Sequence, residues 1–272
     1  MKKLILLLTI IVTFFSACKK EKNITQYEDG LIPFAAKQKI LADKIVSIFE
    51  NDDTIIQYGY VKNLGDGRGY TAGKAGFTSA DGDLLQVVQK YTALVPNNLL
   101  VPYLPTLQTL ADDGSDDTTA IPNFPAAWRA CTGDPKFIDA QNYVADLLYY
   151  EPAIEACTDN GLKLPASLLC IYDCCIQHGD GDDPDGLYAI IDKTNDDCGA
   201  AGEDIDELEW MMRFLYNRRK ALLNPDNEET RDEWSQSVGR VDALNRILQN
   251  NLRLQNETVK VNPFGTEHII HL

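Results

Sequence analysis

The chain has 272 residues, a formal net charge of −16 and 44% hydrophobic residues. This length is sufficient for one large domain or for two lobes around a cleft. So acidic a surface repels the phosphates of nucleic acids and favours cationic partners, although solubility alone would also explain the charge.

Residues 1–17 have the pattern of a signal peptide. An apolar run at 4–15 follows two lysines and is too short to span a bilayer as a helix. Small residues then precede Cys18, as in bacterial lipoproteins, which carry a lipid on the cysteine sulfur. We therefore expect export and a lipid anchor at Cys18, on the outer membrane or the cell surface. A flexible tether is expected over 18–30 and a single domain over 31–272. An ordinary secreted protein is the alternative.

Hydrophobic periodicity predicts an α+β fold that is mainly helical, with one small sheet near the N-terminus. Apolar residues recur at helical spacing over 34–50, and the polar residues that follow end this helix. Residues 55–78 alternate and are rich in tyrosine, threonine and glycine, so they predict two or three short strands. Asp83 begins another amphipathic helix. Further helices are predicted near 100–110, 136–150, 152–177, 203–223 and 229–252, with loops at 111–125, 178–186 and 194–204.

Glu50 ends the apolar face of the first predicted helix, directly after Phe49. Partial burial and the negative pole of the helix dipole would both raise the pKa of this carboxyl group. A carboxylic acid that keeps its proton near neutral pH can act as a general acid. A solvated residue at a helix end, without catalytic role, is the alternative.

The stretch 63–85 reads NLGDGRGYTAGKAGFTSADGDLL and combines many glycines with few bulky apolar residues. So much backbone freedom is typical of a site where the chain meets a ligand closely. Flanking glycines leave the Asp66 carboxylate accessible, and Arg68 on the same strand face would keep it ionised. An ionised carboxylate opposite a protonated one is the pair that glycoside hydrolysis requires. A glycine-rich hairpin without catalytic role remains the alternative.

Other catalytic and metal-binding patterns do not fit the sequence. The glycine stretch lacks the spacing of a phosphate-binding loop, Pro184 interrupts a calcium-loop pattern at 178–186, and neither GxSxG nor HExxH occurs. Six cysteines follow Cys18 without the paired spacing of a zinc site, so they predict disulfides or buried thiols. They are Cys131, Cys157, Cys170, Cys174, Cys175 and Cys198. We expect neither metal nor cofactor.

Five short motifs occur along the chain in a fixed order. They are FEN at 49–51, QYGYVKNLGDGRGYTAGKAGFTSADGDLL at 57–85, DCCIQHGDGDDP at 173–184, RRKALL at 218–223 and GRVD at 239–242. In this order they resemble the glycoside hydrolase family 46 chitosanases, over most of residues 34–245. The resemblance implies a lysozyme-like fold of two lobes, with helix 34–50 and the small sheet on the smaller lobe. It also implies a monomeric, inverting endo-chitosanase that cleaves β-1,4 bonds between glucosamine units of chitosan.

The resemblance further implies which residues perform the hydrolysis. Glu50 matches the proton donor to the glycosidic oxygen, and Asp66 matches the general base that activates water. Thr71 matches a residue that helps to hold this water, and Arg68 matches the arginine beside the base.

Other residues match the walls of the substrate cleft or the ion pairs behind it. Tyr60, Asp83 and His178 match cleft residues, and Asp83 would receive the ammonium group of the substrate. The residues that match a buried ion network are Asp173, Arg219 and Arg240.

Two other functions stay open from the sequence. One is a related hydrolase of peptidoglycan or chitin, although N-acetylated sugars carry no charge that an acidic cleft could attract. The other is a non-catalytic surface lipoprotein that binds glycans, although such a protein has no need of an acid and base pair.

Overall fold

The computed structural model describes residues 33–202 and 204–272. The predicted signal peptide, the lipid site at Cys18 and the tether lie outside the described residues. Within the described ranges, no helix is both long and apolar enough to cross a membrane. The fold is mainly helical with short antiparallel strands, as the sequence predicts.

Helix α1, Ala36–Asn51, lies within two residues of its predicted bounds. At its start, the side chain of Gln38 accepts a hydrogen bond from the backbone nitrogen of Ala35 at 2.7 Å. At its end, Asp52 adopts a left-handed φ of 53° and its backbone nitrogen donates to the oxygen of Ile48. The buried apolar face consists of Leu41, Ala42, Ile45, Val46, Ile48 and Phe49.

A three-stranded antiparallel sheet follows α1 and confirms the strands predicted within 55–78. Its strands are β1 Val61–Asn63, β2 Tyr70–Ala72 and β3 Phe77–Thr78. In the central strand, Thr71 lies opposite Lys62 on one side and Thr78 on the other. Helix α2, Asp83–Leu94, begins at the predicted residue.

Nine more α-helices follow in the described part of the chain. They are α3 Leu104–Asp113, α4 Phe124–Ala130, α5 Pro135–Ala145, α6 Glu151–Asp159, α7 Pro165–His178, α8 Leu187–Cys198, α9 Glu207–Leu223, α10 Arg231–Gln236 and α11 Val238–Asn250. The single helix predicted over 152–177 is wrong. Gly161, with φ 67°, follows the end of α6, and Pro165 starts α7. The helix predicted over 229–252 is likewise divided at Ser237.

Helices α4 and α8 and a second sheet were not predicted from the sequence. Phe124 begins α4 inside the predicted loop 111–125, and α8 covers half of the predicted loop 194–204. Few apolar residues of α8 are buried, so hydrophobic periodicity did not predict this polar helix. The second sheet is an antiparallel hairpin of β4 Thr258–Val261 and β5 His268–His271.

The buried side chains form two hydrophobic clusters, one in each lobe. The larger cluster joins α1, α6, α7, α8, α9, α11 and the C-terminal hairpin, whereas the smaller joins the three-stranded sheet and α2 to α5. Helix α1 thus belongs to the larger lobe, and its predicted place on the smaller lobe is wrong, because its apolar face packs against α7. The lobes meet at a π-helical turn, Asp146–Tyr150, where Tyr149 packs against both clusters.

All six cysteines in the described part of the chain have free thiols. Five are buried, and burial raises the pKa of the Cys174 thiol to about 12, so that it stays neutral and unreactive. The structure therefore holds buried thiols, and the predicted disulfides are not formed in it.

Candidate active site

Glu50 lies in the last turn of α1 and pairs with Arg240 of α11. Its Oε1 is 2.7 Å from Arg240 Nη1. Glu50 is partly buried, as predicted, with 38% of its side chain exposed next to the end of α1. Burial alone would lower the pKa of Arg240, but the carboxylates of Asp173 and Glu50 outweigh burial and raise it. Arg240 therefore stays charged and fixes one oxygen of Glu50.

Behind Glu50 lies a buried ion network centred on Asp173 of α7. Arg240 Nε donates to both Asp173 oxygens, at 2.8 and 3.0 Å, and Arg218 Nη2 lies 2.8 Å from Oδ2. The predicted network contained Arg219, and this assignment is wrong. Arg219 points to solvent and pairs with Asp242 at 3.4 Å, since successive residues of a helix point about 100° apart.

We expect Asp173→Asn to lower the free energy of unfolding at pH 7 by about 3 to 5 kcal/mol, because it leaves two buried guanidinium groups without a full countercharge. Burial raises the pKa of Asp173, but Arg240 and Arg218 outweigh burial and hold it below the usual 3.8. Because the folded-state pKa of Asp173 lies below its unfolded-state pKa, its ionised carboxylate stabilises the fold above the unfolded-state pKa. This stabilisation is lost as the pH falls through the folded-state pKa. The difference between variant and wild type should therefore shrink in acid, as urea denaturation at several pH values can measure.

The matched control is Asp242→Asn, which removes a carboxylate from the exposed pair with Arg219. Its effect should stay below about 0.5 kcal/mol. An equally small effect of Asp173→Asn at pH 7 would contradict a structural role for the buried network.

Asp66 lies in the turn between β1 and β2 and is held by Arg68, as predicted. Arg68 donates from Nη2 and Nε to Asp66 Oδ2, at 2.7 and 3.1 Å, and from its backbone nitrogen to Oδ1 at 3.2 Å. Hydrogen bonds from the Arg68 side chain are the main reason why the pKa of Asp66 lies below its usual value. Asp66 thus presents an ionised carboxylate to solvent, as a general base must.

The glycines around Asp66 serve the backbone in two ways. Gly65 and Gly67 have open space beside them but adopt φ of 73° and 83°, which other residues rarely tolerate. Gly69 also has positive φ, and a Cβ at this position would collide with the Ser79 hydroxyl. The glycine content therefore fixes a tight turn that holds Asp66 at its tip.

Thr71 lies in the middle of the central strand, five residues after Asp66. Its side chain is buried, and its Oγ1 has no hydrogen-bond partner among the described residues. A buried hydroxyl without a partner is costly, so this oxygen lacks a hydrogen bond that a buried hydroxyl normally makes.

Asp83 is the first residue of α2 and is half-buried. Its Oδ1 accepts hydrogen bonds from the backbone nitrogens of Thr78, at 2.6 Å, and Leu84, at 2.8 Å. Burial is the largest effect and raises the pKa of Asp83 to about 6 in spite of these bonds. No salt bridge to Asp83 occurs within the described ranges, so this carboxylate would gain from a cationic ligand.

The two other predicted cleft residues differ in exposure. Tyr60 precedes β1 and is 38% exposed, so its ring is accessible to a ligand. His178 is buried, donates from Nδ1 to the Asp185 oxygen at 2.8 Å and packs edge-on against Trp234. Burial lowers the pKa of His178 to about 3, so the ring is neutral. This geometry fits anchoring of the loop 179–186, and sugar contact by His178 stays a prediction.

Sequence reasoning missed Tyr149, which lines a small cavity together with Glu50. Burial raises the pKa of Tyr149 to about 12, and the nearby carboxylates of Asp83 and Glu50 add to this effect. Tyr149 thus lies near both the predicted acid and the predicted ammonium site. No sequence pattern identifies it, because its place depends on the π-helical turn between the lobes. Among the described residues, no group of three or more potential ligands could hold a metal ion.

Comparison with known proteins identifies the family. The family model described as glycosyl hydrolase family 46 matches residues 44–257. The chain belongs to this family. Every site residue predicted above, apart from the lipid site, lies inside the range that family 46 covers.

Two chitosanases match most of the chain. A chitosanase of Bacillus subtilis is 46% identical over 97% of this chain and 94% of its own length. A chitosanase of a Streptomyces species is 34% identical over 86% of this chain and 82% of its own length.

Solved structures of family 46 share the fold. A chitosanase from Gynuella sunshinyii, in complex with chitotetraose, has a TM-score of 0.78 and 42% identity and covers 88% of this chain and 99% of its own. A native chitosanase from Bacillus subtilis has a TM-score of 0.78 and 48% identity over 87% of this chain and 99% of its own. A mutant of the latter was solved with 6 GlcN. The family's lysozyme-like fold is thus the fold of this chain.

Proposed function

We propose that this chain is an endo-acting chitosanase that hydrolyses β-1,4 bonds between glucosamine units of chitosan. The observation that carries the proposal is the likeness to curated chitosanases, at 46% identity over 97% of the chain. Similar folds were solved with chitotetraose and with 6 GlcN, which makes an oligomer of glucosamine the fitting substrate class.

The proposed mechanism is inversion by two carboxyl groups. Glu50 donates a proton to the leaving glycosidic oxygen, and Asp66 removes a proton from the water that attacks the opposite face of the sugar. In support, Arg240 pairs with Oε1 of Glu50 at 2.7 Å and so fixes the position of the carboxyl group. Arg68 keeps Asp66 ionised, and the unpaired Thr71 hydroxyl is suited to hold the water. Inversion requires carboxyl groups roughly 6.5 to 9.5 Å apart, with the water between base and sugar.

The charge of the chain fits a cationic substrate. A net charge of −16 raises the local concentration of a polycation. At the site itself, the half-buried Asp83 carboxylate gains a countercharge when it receives a substrate ammonium group. Chitin and peptidoglycan sugars, which are N-acetylated, offer no such pairing.

The experiment that tests the function compares the purified protein on fully deacetylated chitosan, on chitin oligomers and on peptidoglycan. We expect new reducing ends from chitosan only, and proton NMR at early times should show the α-anomer as the first product. Release from chitin or peptidoglycan alone would favour the related hydrolase. Binding to chitosan without cleavage would leave only a glycan-binding protein.

We expect Asp83→Asn to raise KM for chitohexaose about tenfold at low salt, since a charged hydrogen bond contributes about 1.5 to 3 kcal/mol. The pKa of Asp83 is about 6, so the carboxylate is charged above that pH and its contribution is lost as the pH falls through 6. The KM of the wild type should therefore change with pH near pH 6, whereas the KM of Asp83→Asn should not. Kinetics at 20 and 300 mM salt should show that the wild type converges on the variant as salt rises.

Asp112→Asn is the matched control, because it removes an exposed carboxylate from α3. Its KM should equal that of the wild type. An unchanged KM of Asp83→Asn at low salt would remove Asp83 from the ammonium site.

The same proposal includes export, a lipid anchor at Cys18, a tether over 18–30, a catalytic domain over 31–272 and a monomeric state. Export and the lipid anchor are supported by the lysines and the apolar run before Cys18. If Cys18→Ser moves the protein from the membrane fraction to the soluble fraction, the anchor is correct. An unchanged distribution would favour plain secretion.

A further inference from the structure

A partly buried polar cluster joins the two lobes next to the proposed active site. We call it the seam cluster, and it consists of Lys39, Asp43, Lys74, Asn142 and Asp146. Lys39 Nζ lies 2.8 Å from Asp43 Oδ1 and 2.8 Å from Asp146 Oδ1. Lys74 Nζ lies 3.3 Å from Asp43 Oδ2 and 2.9 Å from Asn142 Oδ1. The two ammonium groups thus share Asp43 as their common partner.

Lys74 is the most deeply placed charge of the seam cluster, with 6% of its side chain exposed. Burial lowers its pKa, although Asp43 opposes this. For Asp43, burial raises the pKa, but Lys74 and Lys39 outweigh burial and lower it. Charges of opposite sign are therefore matched inside the seam, and the loss of one would leave another uncompensated.

The members of the seam cluster come from different lobes. Asp43 belongs to α1 of the larger lobe, whereas Asn142 belongs to α5 of the smaller lobe. Lys74 lies in the turn between β2 and β3, and its backbone nitrogen donates to the Gln141 side chain at 3.0 Å. A Cβ at Gly73 would collide with the same Gln141 oxygen, so this turn is pressed against α5. The rigid turn directs the Lys74 ammonium across the seam to α1.

The same elements carry the two proposed catalytic carboxyl groups. Asp43 precedes Glu50 by seven residues, which is two helical turns or roughly 10 Å along α1. One small cavity is lined by Glu50, Asp43 and Lys74. On the other side, Lys74 follows β2, which begins just after the turn that holds Asp66. The contact from Lys74 to Asp43 therefore ties the helix of the acid to the hairpin of the base.

We propose that Lys74 is a positioning residue that fixes α1 relative to the β1–β2 hairpin, and thereby Glu50 relative to Asp66. The inference rests on the proposed chitosanase function and adds a residue that acts through Asp43 on the position of Glu50. A displacement of about 1 Å between reacting groups can reduce a rate a hundredfold, so loss of this contact acts on the chemical step.

The test compares Lys74→Met with Lys74→Arg on chitohexaose, at a temperature where circular dichroism shows both variants folded. We expect Lys74→Met to lower kcat 10- to 100-fold with KM changed less than threefold. Lys74→Arg keeps the charge and should restore kcat to within about fivefold of the wild type. The dissociation constant for chitohexaose should be the same for Glu50→Gln and for the double variant Glu50→Gln with Lys74→Met.

Lys136→Met is the matched control, since it removes a lysine from an exposed pair with Asp139. It should leave kcat and KM unchanged. If Lys74→Met does not fold, Asp43→Asn gives the same readout from the other side of the pair. A folded Lys74→Met or Asp43→Asn with wild-type kcat would overturn the inference, even if its melting temperature is lower. Absence of chitosan cleavage by the wild type would instead overturn the proposed function itself.

Discussion

Glu50→Gln should reduce kcat on chitohexaose about a thousandfold while the dissociation constant changes less than threefold. The amide keeps the shape of the side chain and can still contact Arg240, but it has no proton to give to the leaving oxygen. General acid catalysis contributes roughly 10²- to 10⁴-fold, so its loss should dominate the effect. Initial-rate kinetics and calorimetric titration on the same preparation measure the two quantities.

A control for this variant is Glu228→Gln, which alters an exposed glutamate that pairs with Arg231. It should retain full activity. Arg240 still pairs with Asp173 when Glu50 is changed, so Glu50→Gln should also remain as stable as the wild type. Residual kcat above one tenth of the wild-type value would contradict the role of Glu50 as acid.

Asp66→Ala should also reduce kcat by about 10²- to 10⁴-fold, because no carboxylate then removes a proton from the attacking water. Azide carries its own negative charge and needs no base. Added azide should therefore restore part of the rate of Asp66→Ala and yield a glycosyl azide, which mass spectrometry detects. It should restore nothing to Glu50→Gln, since the leaving oxygen there still lacks its proton.

Asp232→Ala serves as the control for this experiment, because it removes an exposed aspartate from α10. Its rate should be that of the wild type with or without azide. If azide rescued both active-site variants equally, or neither, the division of acid and base between Glu50 and Asp66 would be wrong.

Local sequence patterns were sufficient for the elements that carry the site. The apolar repeat before Glu50 predicted α1, because burial of one helix face requires that spacing whatever lies opposite. The glycines around Asp66 predicted a turn with an accessible carboxylate, because positive φ is a property of single residues. The order of the motifs indicated the family that the comparison identifies.

Tertiary structure alone decided which distant residues meet. Neighbouring arginines in RRKALL look equivalent in sequence, yet only Arg218 faces Asp173, since the rotation of α9 in the core selects it. Tertiary packing also decides which lobe contains α1, how exposed Glu50 is and that Lys74 contacts Asp43. Each depends on packing between segments that are far apart in the chain, and periodicity within one segment contains no information about its partner.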